Sequence, residues 1–256
     1  MEVLKNTTIF LVGIIFGSFF NVCIYRIPRS ESIISPPSHC TNCGMKLKWY
    51  ELLPVFSWVF LGGKCHTCKR KISIQYPLVE LSTGILFLLL IQKFGFSGQA
   101  ISYVFLVSLL IIITVIDLQH QIIPDELIIV GAITGVLLSL IKFTVSWIEA
   151  ALGLLTGSGT FLIVAIIAEK LLKKEGMGGG DIKLMGMIGI YLGWKLTALS
   201  MLLSIYAGGI IGGLLVLLKV KKRDDAIPYG PFIAAGTIIS IFFGNDIIRW
   251  YLQSLM

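Results

Sequence analysis

The sequence predicts an all-α polytopic membrane protein with about eight transmembrane helices. Three observations lead there. Of its 256 residues, 56% are hydrophobic, and the mean hydropathy is +0.90. Charged residues make up only 14%, against about 25% in soluble domains. The apolar residues fall in long runs, as membrane spans require and one large soluble core does not.

The runs place spans at 7–25, 77–92, 101–116, 127–142, 148–168, 182–193, 197–218 and 230–245. The first is read as a span and not a cleaved signal, because it ends in RIPRSE and no small-residue cleavage site follows it. The sixth is shortest, either a short crossing or half of a broken element. Such backbone is tolerated at membrane depth only where protein or a water-filled cavity covers it.

Charge sets the orientation. The segments 26–76, 169–183 and 219–225 hold 16 of the 21 Lys and Arg residues. Basic residues stay on the cytoplasmic side, so eight spans put these loops in the cytosol and both termini outside. The net charge of +7 is accounted for by this topology and by anionic lipid. Most of the 27 glycines read as devices for close helix packing. The run Gly178-Gly179-Gly180 reads differently, as backbone that bends or approaches a substrate closely.

The loop between the first two spans carries Cys40-x2-Cys43 and Cys65-x2-Cys68 across a 21-residue spacer. That spacing matches a closed four-thiolate zinc site. Cytosolic placement disfavours disulfides, and a bound metal supplies stability that so small a loop lacks. With four protein ligands the zinc is structural. A redox-active pair and unligated thiols are the competing readings. His39 and His66 adjoin the ligands but are surplus, and Cys23 reads as a small buried apolar residue. Zinc ribbons can bind nucleic acid, but here Trp49, Phe56, Trp58 and Phe60 read as a face lying on the membrane or on the bundle, so no nucleic-acid partner is expected.

Asp117 ends the run SYVFLVSLLIIITVI, and Asp181 closes GMGGGD before another apolar run. Carboxylates at the edge of hydrocarbon are costly and need a reason. Two of them at one depth and side suit acid–base work on water, one charged and taking a proton, the other protonated and hydrogen-bonded to a carbonyl. Asp125, in IIPDE, competes for that role, but its simplest part is to cap the next helix, with Pro124 at the boundary. From spacing alone three readings stay open: a hydrolytic pair, ordinary interfacial charges, and the proton or cation ligands of a transporter.

The ordered blocks GSFFNVCIYRIP at 17–28, the two CxxC pairs, ELLPVFSW at 51–58, ISIQYPLVEL at 72–81, VIDLQHQIIPD at 115–125, GMGGGDIKL at 176–184 and YGPFIAAG at 229–236 span nearly the whole chain. Together they resemble the bacterial prepilin peptidase family, bifunctional leader peptidases and N-methyltransferases of type IV pilins and pseudopilins. The resemblance implies an intramembrane aspartic protease of the bacterial inner membrane, with Asp117 and Asp181 catalytic and Gly178, Gly180, Lys183 and Asp125 in the supporting loops. It implies that a short basic leader is cut after a glycine at the cytosolic interface and the new amino terminus is then methylated from S-adenosylmethionine. It implies prepilin or pseudopilin partners within the lipid bilayer. The chain then divides into a first helix at 1–25, a cytosolic zinc loop tied to methyl transfer at 26–76 and a protease bundle at 77–256. No glycine-rich nucleotide fingerprint is present. Glu51 and Glu80 are candidates to orient the amine and accept its proton, among the acids Glu31, Glu51, Glu80, Glu126 and Glu175. Asn21, Arg26 and Tyr76 are candidates to organise the loop.

Overall fold

The structure, a computed structural model, describes residues 1–172, 178–220 and 227–254. Glu175, the Gly176–Met177 start of the glycine cluster, and Lys173, Lys174, Lys221, Lys222 and Arg223 lie outside those residues. Two compact units result, Met1–Phe96 and Ser97–Met256.

In the first unit, helix α1 (Glu2–Arg26) packs along α3 (Gln75–Phe94), and the cysteine loop between them contains the short helix α2 (Phe56–Phe60). The sequence groups residues 77–92 with the bundle that follows, but here that helix pairs with α1. Gly17 makes the pairing close, since a Cβ there would lie 2.6 Å from the Cα of Glu80. Membrane helices gain their attraction from such contact, because lipid is as apolar as the side chains. α1 runs into a 3-10 turn at Ile27–Arg29 that contains Pro28. Buried Arg26 donates to the Ser32 and Pro36 carbonyls at 2.7 and 2.6 Å, folding the chain back over the helix end.

The second unit contains α4 (Gly98–His120), α5 (Asp125–Leu140), α6 (Trp147–Leu154), a π-helical stretch at Leu155–Gly159, α7 (Thr160–Leu172), α8 (Gly179–Leu217) and α9 (Gly230–Ser254). Ser97 starts α4 by accepting the Ala100 N–H, and Gln121 ends it in the left-handed region, donating to the Asp117 carbonyl at 2.9 Å. These are ordinary helix signals.

The expected eight spans become six. Among the described residues six helical runs are long and apolar enough to cross a membrane. One difference is α5, which at 16 residues rises only about 24 Å. The other is α8, where two expected spans form one helical run of 39 residues. An unbroken helix of that length would reach about 58 Å, nearly twice the hydrocarbon thickness. Gly193 breaks it at φ 69°, ψ 173°, a conformation that a Cβ strongly disfavours. The sixth expected span is therefore half of a broken element.

That first half is the core of the unit. Every residue from Leu184 to Gly193 is buried, and α5, α6 and the π-helical stretch pack directly on it. Protein therefore covers a segment too short to cross alone. Its tightest contact is glycine on glycine: a Cβ on Gly153 would overlap the Gly189 carbonyl, and a Cβ on Gly189 would overlap that of Gly153. Farther along, Ser200 and Thr237 hydrogen-bond at 2.9 Å between α8 and α9, both buried.

Gly189→Ala is expected to lower thermal stability in detergent by about 1–3 kcal/mol. Gly209→Ala, where a Cβ meets nothing within 4 Å, is expected to be neutral or slightly stabilising. Equal melting of the two variants would contradict this account of the core.

Candidate functional site

Four helix ends of the second unit supply the aspartate site. Asp117 sits in the last turn of α4 and is 4% exposed. Its Oδ2 accepts the Gly230 N–H at 2.8 Å, from the first residue of α9. The unpaired amides and dipole of a helix N-terminus favour an anion there. Gly230 has to be glycine for this approach, since a Cβ would stand 2.8 Å from that same oxygen. Pro231 follows in the first turn, where a missing N–H costs nothing. Asp181 is half-buried in the first turn of α8, and its N–H donates to the Gly178 carbonyl at 3.1 Å. The charge of Asp117 acts on Asp181, so the two carboxylates lie within electrostatic reach of each other.

The glycines before Asp181 do not take the left-handed conformation expected of a bent backbone; Gly178 has φ −66°. Space is the reason instead. A Cβ on Gly178 would come within 3.1 Å of the Asp181 Oδ2, and one on Gly180 within 3.0 Å of the Ile123 Cβ. At Gly179 a Cβ meets nothing within 4 Å. The two constrained positions are the two glycines of the G-x-G-D pattern.

Asp125 does not cap α5 with its side chain. It stands in the first helical turn, and its carboxylate takes the Lys183 ammonium at 2.8 and 2.9 Å. Both side chains are more than half exposed, so the pair contributes only about 0.2–1 kcal/mol. It does register the starts of α5 and α8 against each other.

Tyr229 is a part of this site to which the sequence assigns no role. Its hydroxyl meets the Ser204 hydroxyl at 3.1 Å, and its ring packs against Phe161 and Phe232. Burial pushes the phenol above its ordinary range, the Ser204 hydrogen bond opposes that, and the charge of Asp181 adds to it. Tyr229 and Gly230 both lie in the YGPF block, and a glycine opening an apolar run beside a basic loop was the available signal.

The first unit holds a second cluster. The sulfurs of Cys40, Cys43, Cys65 and Cys68 all lie within 4.8 Å of one another, with Cys40 and Cys68 at 3.9 Å. Tetrahedral zinc with Zn–S bonds of about 2.3 Å separates its sulfurs by about 3.8 Å, so the geometry fits. Two matching knuckles build it. In each, the first cysteine N–H donates to the carbonyl five residues on, at 2.9 Å, and a left-handed residue follows the second cysteine, Gly44 at φ 70° and Lys69 at φ 58°. The Arg70 N–H, then the Asn42 amide, lower the Cys68 thiol to about 6. The Met45 N–H lowers Cys43, but desolvation and its three sulfur neighbours outweigh it and bring that thiol to about 11. Crowded thiolates of this kind are relieved by a cation. Trp58 does not share an outer aromatic face: it is half-buried, and its Nε1 donates to the Ile72 carbonyl at 3.2 Å. Trp49, Phe56 and Phe60 are exposed.

Beside the knuckles is a cavity of about 520 Å³, lined in part by Asn21, Arg26, Glu51, Tyr76 and Glu80, within the usual range for small-molecule sites. Both candidate glutamates face it, and both hold backbone. Glu51 Oε2 accepts the Lys48 N–H at 2.7 Å and Glu80 Oε2 the Val55 N–H at 2.7 Å. Asn21 brings an unused acceptor: its Oδ1 is buried and has no hydrogen-bond partner. These acceptors suit a polar, amine-bearing group.

Residues 11–94 match the family model described as the bacterial peptidase A24 N-terminal domain, and residues 104–213 match that of the type IV leader peptidase family. A prepilin leader peptidase/N-methyltransferase of Bacillus subtilis is 37% identical, over 96% of this chain and 97% of its own length. The Pseudomonas aeruginosa protein of the same description is 32% identical, over 95% and 92%. One from Xanthomonas campestris is 34% identical, over 94% and 92%. No solved structure matches. By these family models and by relatives that match over nearly their whole length, the chain belongs to the type IV leader peptidase family.

Proposed function

We propose that this protein removes the basic leader of type IV prepilins or pseudopilins with water activated by Asp117 and Asp181, then methylates the new amino terminus. The observation that supports the protease half is that Asp117, at the end of α4, is held by the first amide of α9, while Asp181, at the start of α8, lies within electrostatic reach of it. Gly230 occupies Oδ2 of Asp117, and among the described residues no hydrogen bond takes its Oδ1. That oxygen is available to water. One carboxyl of the pair is charged and takes a proton from the water as its oxygen attacks the scissile carbonyl. The other is protonated and donates to the carbonyl oxygen, and that proton passes on to the leaving amine. Tyr229, held by Ser204, walls the site.

The basic stretch 169–183, which contains Asp181, supports a cytosolic position for this end of the bundle in the bacterial inner membrane. A prepilin that keeps its basic leader in the cytosol would present its scissile bond at that interface.

The first unit is the place for methyl transfer. S-adenosylmethionine, when bound, supplies an electrophilic methyl on sulfur. This chain has to hold an uncharged amine in line with that methyl and accept the proton its nitrogen loses. Glu51 and Glu80 are the carboxylates that face the cavity. A structural zinc on the four cysteines would fix the loop carrying Glu51 and Val55.

Asp117→Asn and Asp181→Asn are each expected to lower leader cleavage by more than about 1000-fold while the protein stays folded. Wild-type cleavage by either purified variant would remove that residue from the mechanism. Protein purified in reducing buffer without chelator is expected to carry about one zinc per chain, lost in Cys40→Ser and Cys65→Ser. Metal-free protein that melts and methylates as usual would overturn the zinc assignment.

A further inference from the structure

The cavity of the first unit has one feature that packing does not explain. Asn21 is 3% exposed and lines the cavity. Its amide nitrogen donates to the carbonyls of Gly17 at 3.3 Å and Tyr76 at 3.1 Å. Two carbonyls can be met only by the amide N–H groups, which fixes the orientation of the side chain. The oxygen is thereby turned away from both and left without a donor. An unmet buried acceptor costs about 1–3 kcal/mol, and such groups in native proteins call for an explanation.

Glu80 stands close by. Gly17 and Asn21 are one turn apart on α1, Tyr76 and Glu80 one turn apart on α3. The Gly17–Glu80 backbone approach and the Asn21–Tyr76 hydrogen bond join the two turns. Glu80 also holds the Val55 N–H at the centre of a three-residue turn, where Phe56 N–H donates to the Pro54 carbonyl at 2.6 Å. Val55 has φ 62°, ψ −53°, a costly conformation for a β-branched residue. Strain of this kind collects at ligand clamps and active sites.

We propose that Asn21 Oδ1 and the Glu80 carboxylate together form a binding subsite for a primary amino group used in methyl transfer. This rests on the methyl-transfer reading above. Of the cations that line the cavity, Arg26 is spent on the Ser32 and Pro36 carbonyls and Arg70 on Asn42, and among the described residues no hydrogen bond or ion pair joins Lys71 to Asn21 or Glu80, so the acceptors are open to a donor from outside the chain. Two molecules of the reaction carry such a group: the methyl donor, on its α-carbon, and the freshly cut pilin, at its amino terminus.

The test uses full-length protein in detergent, wild type and Asn21→Leu, and reads binding as well as activity. In one arm each protein is titrated with S-adenosylhomocysteine and with its analogue lacking the α-amino group. In the other it is titrated, with S-adenosylhomocysteine present, with a mature pilin peptide and with the same peptide lacking its terminal amino group. Wild type is expected to prefer the amino-bearing ligand by about tenfold or more in one arm, and that arm names the source. Asn21→Leu is expected to lose the preference in the same arm while still cleaving prepilin. Asn21→Asp, which keeps an acceptor there, is expected to retain it. A preference unchanged in Asn21→Leu overturns the subsite, as does its absence from wild type in both arms, a result that stands even if the leucine variant fails to fold. Wild type that binds none of these ligands removes the methyl-transfer reading itself, a failure visible before any variant is made.

Discussion

A carboxylate at the margin of hydrocarbon must find its donors inside the protein, and Asp117 finds one in the first amide of α9. That hydrogen bond needs a glycine at 230, because any Cβ would stand against the accepting oxygen. It also needs α9 to begin at the level where α4 ends. Asp181 comes within electrostatic reach of Asp117 at the start of an α8 whose first half is buried in the middle of its unit. Glycine-to-glycine contact with α6 permits that, and a break at Gly193 ends the buried stretch before it grows too long. The acid pair thus depends on backbone approaching backbone more than on any side-chain network around it.

The first unit applies the same device to a different end. Gly17 lets α1 touch α3 at Glu80, and that contact places Asn21 and Glu80 on one cavity. The two cysteine knuckles stand on either side of the loop that carries Glu51 and the strained turn at Val55. Each buried polar group there has a backbone task, with the single exception of the Asn21 oxygen. Bare composition gives no hint of this division of labour between a carboxylate that shapes a loop and an amide that is left with a lone acceptor.

Much of the site was legible in the sequence. The cysteine spacing names its four ligand positions, since two x2 knuckles are a local pattern with few other uses. Asp117 and Asp181 stand out because a charge ending an apolar run is costly wherever it occurs. The number of crossings was not legible: apolar runs show where a chain is hydrophobic, whereas length and the break at Gly193 decide how the runs join. Asp125 misled because Pro-Asp before an apolar run is a strong capping pattern. Its real partner, Lys183, is 58 residues away, and nothing local reports it. Tyr229, Gly230 and Asn21 share that difficulty, since their roles exist only after helices distant in sequence have packed.

In the proposed cleavage, Asp117 and Asp181 act on one water and one peptide bond. A structure of the Asp181→Asn protein with an uncleaved prepilin leader peptide in place would test it most directly. The scissile carbonyl carbon is expected to lie between residues 117 and 181, with both side chains within reach of one ordered water. A leader seated elsewhere, or residues 117 and 181 turned to separate faces of the bundle, would contradict it.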